Sequence, residues 1–480
     1  FLEKHCVLPL YLVEGVLTVA VPEPANVFLL EEVERLSGFT VQLVAATSRD
    51  IRATLQTYLP NDKVFVIDDI IEEVNPEEFT LIEAKVEDIT NLEKAAGDSP
   101  VIKFVNYCIY NAVKDGASDV HIEPGDNILR VRYRIDGRLI EKLRPPHLMQ
   151  AAVASRIKIM AGLDISERRV PQDGGIHVMM DKRPIDLRIS TMPGKHGEKV
   201  VIRIIDNDKA SVNLEKLGFG YETLKQWRKL IALPNGILLV TGPTGSGKST
   251  TLYACLQEMN RDDVNICTVE DPVEYNLGGV NQFQVNDKAG FTFSAALRSL
   301  LRQDPDIMMI GEIRDTETAK LATQAALTGH LVLSTLHTND APGAITRLYN
   351  LGIEPYLVGA TVCGVLAQRL VRKLCQACKE EYEPSLNEKR QLEKSAGNVE
   401  KLFRARGCAR CRNLGFTGRI GIYELFVPDD QTFDLISSGA TLNSLRAMAN
   451  TLGMTTLRSD GIEKVKAGIT TLEEIYRVTA

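Results

Sequence analysis

The chain has 480 residues, 44% of them apolar and 25% charged, with a formal net charge of −7. That length holds about three domains, each with its own core, in an ordinary soluble globular composition. The acidic balance disfavours a nucleic-acid partner, no apolar run approaches the roughly 18–20 residues of a membrane span, and no secretory signal is visible.

The chain opens on Phe1 rather than Met and is expected to lack its natural start. Residues 1–80 read as a small α/β unit: Leu17 to Val21 alternates like a strand, Val27 to Ser37 like an amphipathic helix, and Val41 to Val44 like a second strand. Acidic pairs recur over 67–98, and 81–98 is expected to be a solvated linker.

A second unit is expected over 99–210. Val101, Ile102, Val105, Cys108, Ile109, Ala112 and Val113 recur at helical spacing. Ser118 to Pro124 and Leu129 to Ile135 read as strands, the latter ending in the hairpin turn signal Asp136-Gly137. Leu129, Val131, Tyr133 and Ile135 share one face of that strand; Arg130, Arg132 and Arg134 share the other. Ile185–Ser190 and Lys199–Ile205 flank a Pro/Gly turn at 193–197 and form a second hairpin-like pair.

The third unit, 211–371, alternates strands at 237–240, 264–269, 307–310 and 331–336 with helices, the pattern of a parallel sheet covered on both faces. Its first strand leads into Gly242-Pro-Thr-Gly-Ser-Gly247-Lys248-Ser249, which fits the phosphate-cradling loop G-x-x-x-x-G-K-[ST]. Glycines let backbone N–H groups face the phosphates. Lys248 supplies charge, Ser249 a hydroxyl for Mg²⁺, and a helix starting there points its positive end at the anion. A nucleoside triphosphate follows as ligand, bound through Gly242, Pro243, Thr244, Gly245, Ser246, Gly247, Lys248, Ser249 and Thr250.

Hydrolysis also needs a water-orienting or metal-holding carboxylate and further cations. Glu312 ends an apolar strand and is a candidate for either carboxylate role; Glu270, ahead of Asp271, is the candidate for Mg²⁺ or water contact at another strand end. His337 stands at the phosphate side of the following strand and could sense the γ-phosphate, with His330 the weaker candidate. Arg298 and Arg302 lie one turn apart on an expected helix, and Arg188 and Arg203 sit in the second unit. Solvated surface arginines are the bland reading of all four; an arginine reaching in from another unit is the functional one.

Nine cysteines are present. Five are scattered in apolar settings, as buried thiols of a reducing cytoplasm. The other four form Cys375-x-x-Cys378 and Cys408-x-x-Cys411, separated by 29 residues, a pattern suited to tetrahedral Zn²⁺ in a subdomain at 372–414. With all four positions thiolate, the metal is structural. Residues 415–480 return to helical periodicity.

Taken in order, Ser118–Pro124, Tyr133–Arg138, Gly242–Thr250, Thr268–Glu274, Leu297–Asp306, Gly311–Asp315 and Gly329–Asn339 resemble the signatures of the type II secretion and type IV pilus assembly ATPases, over nearly the whole chain. The resemblance implies a small N1 domain, a PAS-like α+β N2 domain, a RecA-like P-loop core, a zinc insert and a helical C-terminus. It implies ATP, Mg²⁺ and Zn²⁺ as cofactors. It assigns Glu270 to an acidic box, Glu312 to Walker B and His330 and His337 to a histidine box, and it suggests that Arg188 and Arg203 approach the phosphates, with Arg298 and Arg302 nearby. It further implies a cytoplasmic homohexamer working against inner-membrane platform and anchor proteins. The four-cysteine insert resembles the secretion and extension branch, and the opening segment resembles the later half of the family's N1 domain.

Overall fold

The computed structural model describes residues 2–13, 15–48, 51, 65–66, 100–180, 183–206, 213–396 and 399–479. The acidic linker expected at 81–98 lies outside them. The chain divides into two units: residues 1–110, 124–129 and 145–202 form one; 111–123, 130–144 and 203–480 form the other.

The first unit opens with a three-stranded sheet. Leu8–Val13 pairs antiparallel with Val16–Val21, which pairs parallel with Thr40–Ala45 through the helix Val27–Ser37. Asn26 starts that helix by accepting the Leu29 N–H at 3.1 Å, and Gly38 ends it in the left-handed conformation. Val19, Val21, Leu29, Val33 and Val41 close its core. The Leu8–Val13 strand is not legible in the sequence, because residues 9–13 are exposed and carry no inward–outward alternation. Further along, Gln172–Met180 and Arg183–Gly194 pair antiparallel, beside the helix Gln150–Met160.

Ile128–Ile135, in the second unit from Arg130 onward, and Arg138–Leu143 form a hairpin whose turn residues, Asp136 and Gly137, both take positive φ. Leu129, Val131, Tyr133 and Ile135 are buried, as their alternation requires. The large sheet of this unit runs in the order 281–284, 266–270, 307–310, 331–336, 236–241, 362–374, 416–426. The first six strands are parallel; the last pairs antiparallel with its neighbour. Alternate residues feed two cores. Leu238, Val240, Met309 and Leu333 face one layer, and Ile237, Leu239, Met308 and Val332 the other. A strand buried on both faces reads as a continuous apolar run, which is how Gly236–Thr241 and Ile307–Ile310 appear in sequence.

The four strands expected from the sequence pair in parallel and the C-terminus is helical, as expected. The segment from 415 opens on a strand not expected from the sequence. Phe416–Phe426 is a long strand of the main sheet, and C-terminal helices begin at Asp430. Periodicity hides this strand because its outer half is partly exposed and its inner half fully buried. The cysteine unit is therefore an insertion at the tip of the 362–374/416–426 hairpin.

Candidate nucleotide and metal sites

The parallel strands end at one edge of the sheet, where ligands of open α/β folds bind. Four candidate groups converge there: the loop after Thr241, Glu270 as the last residue of its strand, Glu312 two residues past Ile310, and His337 directly after Leu336.

The loop is built around glycine. Gly242, Gly245 and Gly247 take φ of 151°, 77° and 89°. A Cβ on Gly242 would stand 2.5 Å from the Gln368 carbonyl oxygen, and one on Gly247 would stand 2.8 Å from Gln368 Nε2. Lys248 opens the helix Lys248–Met259, and its Nζ donates to the carbonyls of Gly242 at 2.9 Å and Pro243 at 3.2 Å. Burial lowers its pKa, opposed by the charge of Glu312 and reinforced by that of Arg369. Ser246 Oγ is buried and, among the described residues, has no hydrogen-bond partner, which fits a loop that closes around an added oxygen-rich group. Ser249, one residue into the helix, is exposed at its N-terminus, as a Mg²⁺-holding hydroxyl requires.

Glu312 is the hub of the edge. One of its oxygens accepts from Arg314 at 2.6 Å, and the other lies 3.4 Å from His337 Nε2. Burial pushes its pKa up, but Arg314 and His337 outweigh that and hold it below the ordinary value, so it is ionised at neutral pH. The loop carrying His337 is tied to the phosphate loop, since Thr338 N–H donates to Thr241 Oγ1 at 2.9 Å.

Other candidates sit differently. Glu270 is buried, and Tyr253, Thr268 and Gln282 all donate to its oxygens. Its carboxylate thus braces the phosphate-loop helix through Tyr253. His330 precedes its strand and lies at the opposite edge of the sheet from Gly242, its Nδ1 2.9 Å from the Ala325 carbonyl. The strand between the two histidines spans about 20 Å, so His330 and His337 stand at its opposite ends. Arg298 pairs with Glu317. Arg302 is not on the helix, which ends at Leu300, and its Nη1 donates to the Arg298 carbonyl at 2.6 Å. Arg203 lies 3.4 Å from Asp119. Arg188 belongs to the first unit, opposite Gly175 in its hairpin.

Sequence reasoning misses Arg314 and Arg369. Arg314 sits two residues beyond Glu312, and that spacing is its one signal. Arg369 carries no signal, because it lies mid-strand and only the fold brings it to the phosphate loop. It is buried and donates to the carbonyls of Gln368 at 3.0 Å and Asn339 at 2.8 Å, which ties the His337 loop to the next strand.

The four motif cysteines converge as expected, with all sulfurs within 4.8 Å of one another. Cys375–Cys408, Cys378–Cys411 and Cys408–Cys411 are 4.0, 3.7 and 3.8 Å apart. Four thiolates about 2.3 Å from a tetrahedral Zn²⁺ lie about 3.8 Å apart, so the group fits such an ion. Burial pushes both the Cys411 and the Cys378 thiol up; the N–H groups of Cys408 and Gly415 draw Cys411 down to about 6, whereas Cys378 stays raised, to about 12.

Strand, glycine loop, lysine and helix define a P-loop nucleotide-binding α/β protein. Residues 94–477 match the family described as type II/IV secretion system protein, and residues 1–64 match the MshEN domain. The type IV pilus assembly ATPase PilB of Myxococcus xanthus is 46% identical over 100% of this chain and 85% of its own length. The type II secretion system ATPase E of Vibrio cholerae is 44% identical over 95% of this chain and 91% of its own. HxcR, a type II secretion system protein of Pseudomonas aeruginosa, is 50% identical over 82% and 80%. Among solved structures, the pilus retraction motor PilT with bound ADP superposes with a TM-score of 0.53 at 27% identity, over 77% of this chain and 95% of PilT. The ATPase DotB of Legionella pneumophila gives 0.58 at 20% identity, over 78% and 95%, and shares the fold. The chain belongs to the type II/IV secretion system protein family. Among the described residues no helix is long and apolar enough to cross a membrane.

Proposed function

We propose that the chain is a motor subunit that hydrolyses ATP to ADP and phosphate and so drives pseudopilus assembly in a type II secretion system. The observation that carries this is the meeting of Lys248, Glu312, Arg314 and His337 around one phosphate loop. Backbone N–H groups of the loop hold the triphosphate, and Lys248 exchanges its two loop carbonyls for phosphate oxygens. The ionised Glu312 orients the attacking water and accepts its proton, while His337 and Arg314 hold that carboxylate in place. Ser249 would hold Mg²⁺, which neutralises charge building on the phosphates. Cys375, Cys378, Cys408 and Cys411 would hold a structural Zn²⁺ that fastens the insert. Arg188 and Arg203 supply further cations when their part of the chain closes on the nucleotide, which links hydrolysis to motion.

The working form is a homohexamer in the cytoplasm, docked on inner-membrane platform and anchor proteins, without nucleic acid. Type IV pilus extension is the second reading, favoured by the match to the pilus assembly ATPase over 100% of this chain and 85% of that relative. In steady-state assays, Lys248→Ala and Glu312→Gln are each expected to lower turnover at least ~100-fold, with Glu312→Gln still binding ATP. Near-normal turnover in both would leave a nucleotide-gated scaffold.

A further inference from the structure

A cavity of about 640 Å³ opens beside the phosphate loop, and Gly247, Thr250, Arg412 and Asp136 are among the residues that line it. Arg412 directly follows Cys411 and takes φ of 52°, and Asn413 takes 60°. Two successive left-handed residues with side chains are uncommon, and such turns persist where the surrounding contacts hold them.

Here the turn aims one guanidinium at the carboxyl end of the helix Pro100–Lys114. Arg412 donates to the carbonyls of Asp115 at 2.9 Å and Lys114 at 3.1 Å, and lies 2.9 Å from Asp115 Oδ1. A cation suits the negative end of a helix, and the planar fork can span several acceptors at once. Lys142 holds the other oxygen of Asp115 at 2.8 Å. A second fastening lies nearby. Asp136, in the hairpin turn, accepts the Gly418 N–H at 2.9 Å and faces Arg419 at 3.7 Å. Both fastenings join residues 114–136 to the cysteine unit and the strand after it.

We propose that Arg412 and Asp136 are positioning residues that latch the cavity wall they line and so govern how fast a bound nucleotide leaves. The proposal rests on nucleotide binding at the phosphate loop. Neither residue touches the phosphates; each acts by keeping its wall closed over the base and sugar.

The test is release of a fluorescent ADP analogue with Mg²⁺ from the full chain, by stopped flow. Arg412→Ala and Asp136→Gly are each expected to speed release about fivefold or more and to raise Kd in parallel. Glycine keeps the turn conformation at 136 and removes only the acceptor. Arg412→Lys should fall between, since an ammonium reaches one carbonyl without the fork. Release within about twofold of the unmodified chain in both variants, with metal content and melting temperature unchanged, overturns the latch. If Arg412→Ala does not fold, Asp136→Gly decides alone. Lys248→Ala is the control. Analogue binding insensitive to Lys248→Ala would sink the phosphate-loop reading and the latch with it, whereas sensitive binding with unchanged release sinks the latch only.

Discussion

The phosphate-loop edge and the cysteine unit both gather groups distant in sequence into one candidate site, by different means. At the edge the sheet does the work. The strand ends are buried and parallel, Thr241 ties to Thr338, and the glycines already hold their positive φ. In the cysteine unit the short strands Lys379–Tyr382 and Leu402–Ala405 pair only with each other among the described residues, and the sulfurs close the structure. The edge is held by its sheet; the cysteine unit adds Leu392 and Leu402 to the main core and gathers four sulfurs that would hold a metal.

Metal removal should break that contrast most visibly. Strong chelation, or Cys408→Ser, should release one metal per chain and unfold the cysteine unit, since binding free energy on the order of 10 kcal/mol is also folding free energy there. Elemental analysis and proteolysis between 375 and 415 would report it. A metal-free chain with an intact unit would erase the difference.

The edge should instead be sensitive to backbone shape. Gly247→Ala meets both a φ of 89° and Gln368 Nε2. Calorimetry should show ATP affinity lower by about tenfold or more, with a stability loss of about 1–3 kcal/mol. Unchanged affinity would mean that the loop is not held rigid by its neighbours.

A buried charge sharpens the comparison on the side of the C-terminal helices. Glu474 accepts from the Arg372 N–H and pairs with the side chains of Arg372 and Arg477; burial pushes its pKa up, but these donors bring it to about 2. A folded-state value below the unfolded 4.5 means stability present above pH 4.5 and lost as pH falls toward 2. Glu474→Gln should therefore cost about 2 kcal/mol at pH 7 and flatten stability over that acid window, by denaturant melts.

The smallest effect concerns Glu312. Against its burial, Arg314 and His337 hold its pKa below the ordinary 4.5, so the acid limb of the ATPase profile should fall below about pH 4.5. His337→Gln removes one of the groups that lower it and should move that limb upward. A limb near pH 6 in the unmodified chain would argue for a different base.

Much of both sites is legible in the sequence because each is written in short spacings. G-x-x-x-x-G-K-S spans one turn, and each C-x-x-C is a knuckle, so local chemistry names them before any fold exists. Glu312 and His337 are legible by rule, since buried apolar strands end at the ligand edge. Around Glu270 and His330 the sequence is silent, because a strand end says nothing about which neighbours donate to a carboxylate or which carbonyl a histidine meets. Arg369 is invisible because its strand reads as an ordinary continuation toward the cysteines. The Leu8–Val13 strand escapes because exposure removes its alternation.

By itself, then, the order of residues determined the ligand classes and most core strands, because backbone freedom at glycine, thiolate spacing and apolar runs are local properties. Tertiary structure alone decided which cations stand behind the phosphate loop, which carboxylate is left with charged rather than saturating neighbours, and how the insert meets residues 114–136. Those depend on which distant strands lie side by side, and burial fixes that only once the sheet has formed.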